Sequence, residues 1–238
     1  MATSGTNTFN LSRDSMIKTV LRNIGAIEPG GTPTADDVAN CSEALNIMIK
    51  AAAKKGLALW VTTELTLPLV AGTGAYQIGP SAAGTGALVT SKPLKILQEG
   101  NFVRTTAGMD TTLLQISRQE YDQQGSKTTP GTPNQFYYDV GLVNGTVYFL
   151  NVPNDSTQVV KLQVQRQFFD MVGAADDFDF PSEWFQWLKW GGSAELAAEY
   201  SVSERLIPYY EQKAAKFEEE CFGFSVEEAS VTFSVDTR

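Results

Sequence analysis

The hydrophobic period of the chain changes twice along its length, and this pattern constrains the fold more than any single motif does. Near both ends, apolar residues recur every three or four positions, which is the spacing of an amphipathic helix. Between residues 57 and 172 they recur at every second position in short runs, which is the spacing of β-strands. Amphipathic helices bury their apolar faces against one another, so we expect both ends to form one domain.

The predicted fold class is α+β. We expect a four-helix domain formed by residues 1–56 and 173–224, an inserted antiparallel β domain over residues 57–172, and an extended C-terminal tail over residues 225–238. The chain has 238 residues, of which 42% are hydrophobic. A chain of this size can bury such cores without a metal ion or a disulfide.

Two helices are predicted before residue 57. Ser12 can cap the first, which is followed by apolar residues at helical spacing as far as Ile24. Thr34 and Asp37 form the pattern of a capping box at the start of the second. The apolar stripe of this second helix contains Val38, Cys41, Leu45, Met48 and Ala52.

Seven segments of the inserted region have the alternation of strands: 64–70, 75–79, 93–97, 112–117, 135–140, 146–152 and 159–168. The first two flank a short turn and are expected to pair as a hairpin, with Pro68 better tolerated on an edge strand. A second hairpin is expected around Asn144 and Gly145, a residue pair that favours tight turns.

A third helix is predicted from Pro181 to about Tyr200, and it contains three of the four tryptophans. Trp184, Trp187, Trp190 and their apolar neighbours cover about two thirds of its circumference, at 100° per residue. The narrow remainder carries Gln186, Lys189 and Ser193. One core contact needs only about a third of a helix surface. The surplus therefore predicts contact with a second layer of the same subunit or with a neighbouring subunit.

Gly191 and Gly192 follow this tryptophan-rich stretch and would let another helix backbone approach closely. We therefore regard Trp184, Trp187, Trp190, Gly191 and Gly192 as candidates for a subunit interface, because Trp is favoured at interface cores. The alternative is a helix that is fully buried within a monomer.

A fourth helix is predicted to begin between Ser203 and Pro208 and to end at Gly223. Beyond it, Val231, Phe233 and Val235 alternate with polar residues, as in a strand that adds to the edge of a sheet. This strand could fold back onto the β domain of its own chain or dock onto a partner.

Composition excludes several classes of function. The chain has no histidine, so Ser-His-Asp and Cys-His catalysis and histidine metal sites are excluded. Carboxylates such as Asp179, Glu183 and Glu195 remain, but nothing selects a pair of them. The glycine-rich loops lack the lysine of a phosphate-binding loop, and Cys41 and Cys221 fall on apolar stripes. No catalytic, cofactor or metal site is therefore predicted.

The net charge of −9, with 18 scattered basic residues, argues against tight binding of a nucleic-acid backbone. No apolar run is long enough for a membrane span, and the first residues lack the pattern of a signal peptide. We therefore expect a cytosolic product that is neither exported nor inserted into a membrane.

Several segments, in this order and spacing, resemble the head-to-tail adaptor (tail accessory factor) family of short-tailed bacteriophages. They include "ELTLPLVAGTGAYQIG", "GTPNQFYYD", "NGTVYFLNVPN" and "DFPSEWFQWLKWGGSAELAAEY", and the resemblance covers about residues 12–224. It implies a helical domain that forms a dodecameric ring beneath the portal and a β domain that faces outward or toward the next tail component. It also implies a C-terminal extension that reaches into the portal through Val231, Phe233 and Val235, and a subunit contact near Trp187 and Trp190.

The resemblance implies a structural virion protein without enzymatic activity or cofactor. Such a protein would be assembled in the host cytoplasm into the neck or tail of the particle. It would seal the packaged head, continue the DNA channel and seat the tail nozzle or fibres. Its partners would be the portal ring, a tail nozzle or hub protein and other copies of itself, while double-stranded DNA passes without specific binding and no membrane takes part. The alternatives are a carboxylate-dependent peptidoglycan hydrolase of a phage particle and a monomeric binding module.

Overall fold

The computed structural model describes residue 5 and residues 9–53, 59–105 and 108–224. These residues contain five α-helices: α1 (Arg13–Asn23), α2 (Ala35–Ala52), α3 (Arg118–Gln123), α4 (Phe185–Ala197) and α5 (Ile207–Phe224). The chain divides into a helical unit, within Met1–Leu59 and Phe168–Arg238, and a β unit, Trp60–Gln167. The fold class is α+β, with the four long helices in the helical unit and the short helix α3 in the β unit.

The predicted helix starts near the N-terminus are confirmed. The side-chain oxygen of Ser12 accepts a hydrogen bond from the backbone N–H of Ser15 at the start of α1. At the start of α2, the N–H of Asp37 donates to the Thr34 hydroxyl at 3.2 Å, and the N–H of Thr34 donates to the Asp37 carboxylate at 3.0 Å. These bonds satisfy backbone donors that the first turn of a helix leaves unpaired.

Residues 168–172, which we expected in the β domain, lie in the helical unit instead. The ammonium group of Lys50 on α2 donates to the carbonyl oxygen of Phe168 at 2.6 Å, and the Phe168 ring stacks on Phe180 with centroids 4.7 Å apart. Tertiary contacts with α2 therefore outweigh the alternating pattern that led us to extend the last strand to residue 168.

The β unit contains two five-stranded sheets. The first has the order β1-β10-β5-β6 with β4 also paired to β10, and the second has the order β3-β2-β9-β8-β7. The strands are β1 (Thr62–Pro68), β2 (Ala75–Gly79), β3 (Leu88–Val89), β4 (Lys95–Ile96), β5 (Phe102–Arg104), β6 (Asp110–Thr112), β7 (Leu114–Gln115), β8 (Gln135–Val140), β9 (Gly145–Leu150) and β10 (Val159–Gln165). Most pairs are antiparallel, whereas the short pairs β2–β3 and β7–β8 are parallel.

The second predicted hairpin is confirmed, and the first is wrong. Strands β8 and β9 pair antiparallel, with Val140 opposite Gly145.

In the first predicted hairpin, strand β1 pairs with β10, whereas β2 pairs with β9 in the other sheet, so the connection between β1 and β2 passes from one sheet to the other. The hydroxyl of Tyr76 accepts from the N–H of Val70 at 2.9 Å and donates to its carbonyl oxygen at 3.1 Å, in place of a strand ladder. Pro68 does lie in an edge strand, as expected.

Both sheets contribute side chains to one hydrophobic core. Its largest fully buried members are aromatic, and the rings of Tyr76 and Phe149 meet edge to face at 5.4 Å. The hydroxyl of Tyr138 donates to the carbonyl oxygen of Pro93, and burial raises the pKa of this phenol to about 12. A shared core of this kind explains why both sheets fold as one unit.

In the helical unit, α4 contacts α1, α2 and α5. It is therefore the central helix of that unit. No helix in the described part of the chain is long and apolar enough to cross a membrane.

Candidate functional site

The tryptophan-rich helix begins with a 3-10 turn, Ser182–Trp184, that leads directly into α4. Pro181 precedes this turn with an extended backbone, and its carbonyl oxygen accepts a hydrogen bond from the N–H of Trp184 at 3.0 Å. Proline suits this position because it has no N–H of its own to leave unpaired.

Aromatic side chains pack around the first turns of α4. The Trp184 and Trp187 rings meet edge to face at 5.4 Å, and Phe180 lies 5.5 Å and 5.6 Å from them. On the other side, Phe222 of α5 meets the ring of Trp184 at 4.9 Å. Both tryptophans are only 2% exposed. Edge-to-face contacts of this kind stabilise aromatic clusters beyond the area that they bury.

The two glycines of α4 lie where the neighbouring helices approach most closely. A Cβ atom on Gly192 would lie 2.8 Å from Leu45 of α2 and 3.2 Å from Val20 of α1, and one on Gly191 would meet the sulfur of Met48. One residue further, the amide of Asn23 donates to the hydroxyl of Ser193 at 2.8 Å. Ser193, which we placed on the polar remainder of the helix, is therefore buried and hydrogen-bonded.

These contacts give the surplus apolar surface of α4 partners within the same chain. Trp184, Trp187, Gly191 and Gly192 are buried by helices of the same chain. Because α4 is covered from three sides, its wide apolar arc needs no neighbouring subunit. The structure buries these four residues within their own chain, and a subunit contact at them stays a prediction.

Trp190 differs from the other two tryptophans because it lies half-buried at the margin of the helical unit. Its ring meets Tyr209 at 5.7 Å and Tyr210 at 5.9 Å, and the ammonium group of Lys189 lies 5.0 Å from its centroid. Among the tryptophan and glycine candidates, it alone still has surface for a neighbouring subunit, and that role stays a prediction.

Sequence reasoning missed two exposed apolar patches on the helical unit. We group three exposed residues as the α2 patch because they flank the contacts of α2 with Phe168 and Met171 in the segment that crosses it: Ile47 on α2, and Phe169 and Val172 in that segment; Ile47 is 61% exposed and Val172 is 80% exposed. The α5 patch consists of Trp190, Leu206 and Tyr209, of which Leu206 is 48% exposed and Tyr209 is 47% exposed. Ile47 gave a signal in the sequence, because it lies about 200° around α2 from the buried Leu45.

Both cysteines and the carboxylates singled out from the sequence lie in the described part of the chain. Burial raises the pKa of the Cys41 thiol to about 12 and that of Cys221 to about 11, which keeps both thiols protonated near neutral pH. Glu183 and Glu195 are exposed, and a carboxylate oxygen of Asp179 accepts from the N–H of Phe169. Within the residues that the structure describes, no three His, Cys, Asp or Glu side chains are grouped to hold a metal ion.

The predicted docking strand, with Val231, Phe233 and Val235, lies outside the described residues.

The comparison with protein families gives one match that spans both units. The model of the family described as SU10 adaptor protein matches residues 13–220. No curated protein sequence matches the chain significantly.

Proposed function

The chain belongs to the SU10 adaptor protein family, which makes it a structural adaptor of a bacteriophage particle, and from this premise we propose that it joins head to tail. In this proposal, copies of the chain assemble as a ring beneath the portal of a short-tailed phage. The ring seals the packaged head, continues the DNA channel and seats the tail nozzle or fibres. The family match over residues 13–220 is the observation that carries the proposal.

The helical unit supports a role in ring assembly. Each subunit of a closed ring offers two different surfaces, one to each neighbour. The helical unit has two separate exposed apolar patches on a tightly packed set of four helices, and exposed apolar patches often mark sites of protein association. A count of twelve copies comes from the resemblance to head-to-tail adaptors.

The charge of the chain supports a channel that does not bind DNA. Each subunit carries a net charge of −9, so a ring would surround the duplex with negative charge. Proteins that hold duplex DNA use clustered Lys and Arg residues to replace counterions on the phosphates. At physiological salt the repulsion would extend only about 8 Å from the wall, which allows DNA to pass without being held.

The tail after α5 supplies the proposed contact with the portal. Residues 231–235 alternate apolar and polar side chains, and an extended segment of this type can add to the edge of a partner sheet through backbone hydrogen bonds. In the same proposal, the β unit is directed toward the nozzle or hub protein of the tail.

A nonsense mutation in the gene of this chain tests the proposed function in the phage. We expect particles whose heads have packaged DNA but carry no tail nozzle and lose their DNA on storage. Expression of the wild-type chain in trans should restore complete particles. Infectious particles with intact tails in the absence of the chain would refute the proposal.

A further inference from the structure

We propose that neighbouring copies in the ring meet through two different surfaces, with the α2 patch of one copy covering the α5 patch of the next. This inference rests on the proposed ring and names the partner of each patch, which is a second copy of the chain.

The α2 patch is held in place by polar contacts beneath it. The side-chain amide of Asn46 donates to the carbonyl oxygen of Met171 and its oxygen accepts from the N–H of Met171, both at 3.2 Å. Ile47 follows Asn46 on α2, and Val172 follows Met171 in the crossing segment, so two patch residues are adjacent in sequence to this contact. A patch held in this way needs little ordering when a partner binds, which lowers the entropic cost of association.

Carboxylates surround the α2 patch. Glu43 is exposed one helical turn before Ile47, and Asp176 and Asp177 are exposed on the crossing segment. Two described cations near the patch have acidic partners, since Lys50 pairs with Asp170 at 2.7 Å and Arg13 pairs with Asp14 at 2.9 Å. The patch is therefore an apolar surface in an acidic setting.

Cations lie on the α5 patch. The ammonium group of Lys189 is 5.0 Å from the centroid of Trp190, and that of Lys213 is 5.7 Å from the centroid of Tyr209. A cation over an aromatic face binds more strongly when water is excluded, as it would be in an interface. Positive charge therefore lies on the aromatic faces of Trp190 and Tyr209, while the exposed Glu204 and Glu211 are near in sequence, and we expect these two faces to meet the carboxylates of the α2 patch.

The two patches lie at opposite ends of α1. The guanidinium group of Arg13, in the first turn, donates to the carbonyl oxygen of Val172 at 2.5 Å. The hydroxyl of Tyr210, beside Tyr209, donates to the carbonyl oxygen of Asn23, the last residue of α1, at 2.9 Å. Arg13 and Asn23 are ten residue steps apart on α1, which is a rise of about 15 Å along the helix axis at 1.5 Å per residue.

The charges around the patches favour a contact between unlike patches over a contact between like patches. Two α2 patches facing each other would bring carboxylates of the same sign together, which is unfavourable. An α2 patch facing an α5 patch brings opposite charges together around two apolar surfaces. Contacts between two different faces of a subunit repeat around an axis, and they generate a closed ring when the rotation closes.

Two variants that each damage one patch test this inference in the full-length chain. Val172→Glu places a carboxylate in the α2 patch and Leu206→Glu places one in the α5 patch, both at exposed positions. Leu142→Glu is the matched control, because Leu142 is 94% exposed at the tip of the β8–β9 hairpin. Circular dichroism and the thermal midpoint check folding, and Lys213→Glu replaces Leu206→Glu if the latter is misfolded.

Assembly is measured by short-range chemical cross-linking and mass analysis, with and without portal rings, under conditions where the wild type assembles. We expect each variant alone to give at least about tenfold fewer cross-linked pairs than the wild type. A mixture of the two, with different tags, should restore one-to-one pairs through the remaining intact patches but no complete ring. Leu142→Glu should behave as wild type.

The inference is overturned if either variant alone assembles as the wild type does, or if the mixture gives no mixed pairs. Neither result would contradict the proposed ring. If the wild type fails to assemble even on portal rings, the proposed function fails, and the inference fails with it.

Discussion

Asn46 and Met171 are joined by two hydrogen bonds, in which the side-chain amide of Asn46 pairs with both backbone polar groups of Met171 at 3.2 Å. Met171 is buried, so these bonds replace water for a backbone N–H and a carbonyl oxygen. They attach the segment that follows β10 to α2. This contact is one reason why the boundary between the two units falls at residue 168.

Replacing Asn46 with Leu should destabilise the protein by about 2–6 kcal/mol, because it leaves two backbone groups of Met171 without a partner. Each buried backbone group left unpaired costs about 1–3 kcal/mol. Urea denaturation followed by circular dichroism measures the loss. Ile47→Ala is the matched control at an exposed position of the same helix, and its effect should stay within about 0.5 kcal/mol. Equal stability of Asn46→Leu and the wild type would contradict the role of this contact.

Gly192→Ala should destabilise the helical unit, whereas Gly191→Ala should be nearly neutral. At Gly192 the added methyl group meets Leu45 and Val20, both fully buried, and overpacking of this kind costs about 1–3 kcal/mol. At Gly191 it meets only the flexible side chain of Met48, so the gain in helix propensity, about 1 kcal/mol, offsets the strain. Thermal unfolding of the two variants compares them directly, and equal midpoints would show that α1 and α2 do not confine Gly192.

Asp37 should make stability depend on pH in the acid range. The Thr34 hydroxyl, the Tyr200 hydroxyl and the Thr34 backbone N–H all donate to this carboxylate and lower its pKa. A lowered folded-state pKa means that the charged carboxylate stabilises the fold fully above the unfolded pKa of about 3.9. This stabilisation is lost as the pH falls through the folded-state pKa.

Thermal unfolding of the wild type and Asp37→Asn between pH 2 and pH 7 measures this effect. We expect the variant to be less stable at pH 6 and the difference to shrink as the pH falls below about 4. Asp36→Asn controls for the loss of a carboxylate near the N-terminus of α2, which is itself unfavourable. A difference of the same size at pH 3 and pH 6 would contradict the assigned hydrogen bonds.

Replacing Val231, Phe233 and Val235 together with serine should weaken binding to portal rings without changing the fold. These three side chains form the apolar face of the proposed docking strand. The matched control replaces Thr232 and Ser234, on the opposite face, with alanine. Co-sedimentation with portal rings measures binding, and we expect a loss of at least about tenfold for the triple variant only. Unchanged binding of the triple variant would refute the docking role of the tail.

Local signals in the sequence predicted local structure well. The caps at Ser12 and Thr34 and the hairpin at Asn144 depend on residues that are close in the chain, and the structure confirms them. A capping box of Ser117 and Glu120 starts α3, and Ser117 is the last residue of the segment 112–117 that we predicted as a strand. Strands β3 and β5 are only two and three residues long, so long-range pairing rather than an apolar period defines them.

The pairing of distant strands and the packing of distant helices could not be predicted from these local signals. Strands β1 and β2 are neighbours in sequence, yet each pairs with a distant strand, because the two sheets share one core. The wide apolar arc of α4 correctly indicated contact with more than one layer. It could not show that helices of the same chain would supply all of these layers around Trp184 and Trp187. Ile47, which lies off the buried stripe of α2, and Trp190, at the edge of the apolar arc of α4, pointed to the two exposed patches.

Native mass spectrometry of the purified chain, alone and mixed with portal rings of the same phage, tests the proposed adaptor role most directly. We predict a complex in which one portal ring carries a complete ring of this chain. A chain that stays monomeric in both samples, and does not bind the portal, would contradict the account.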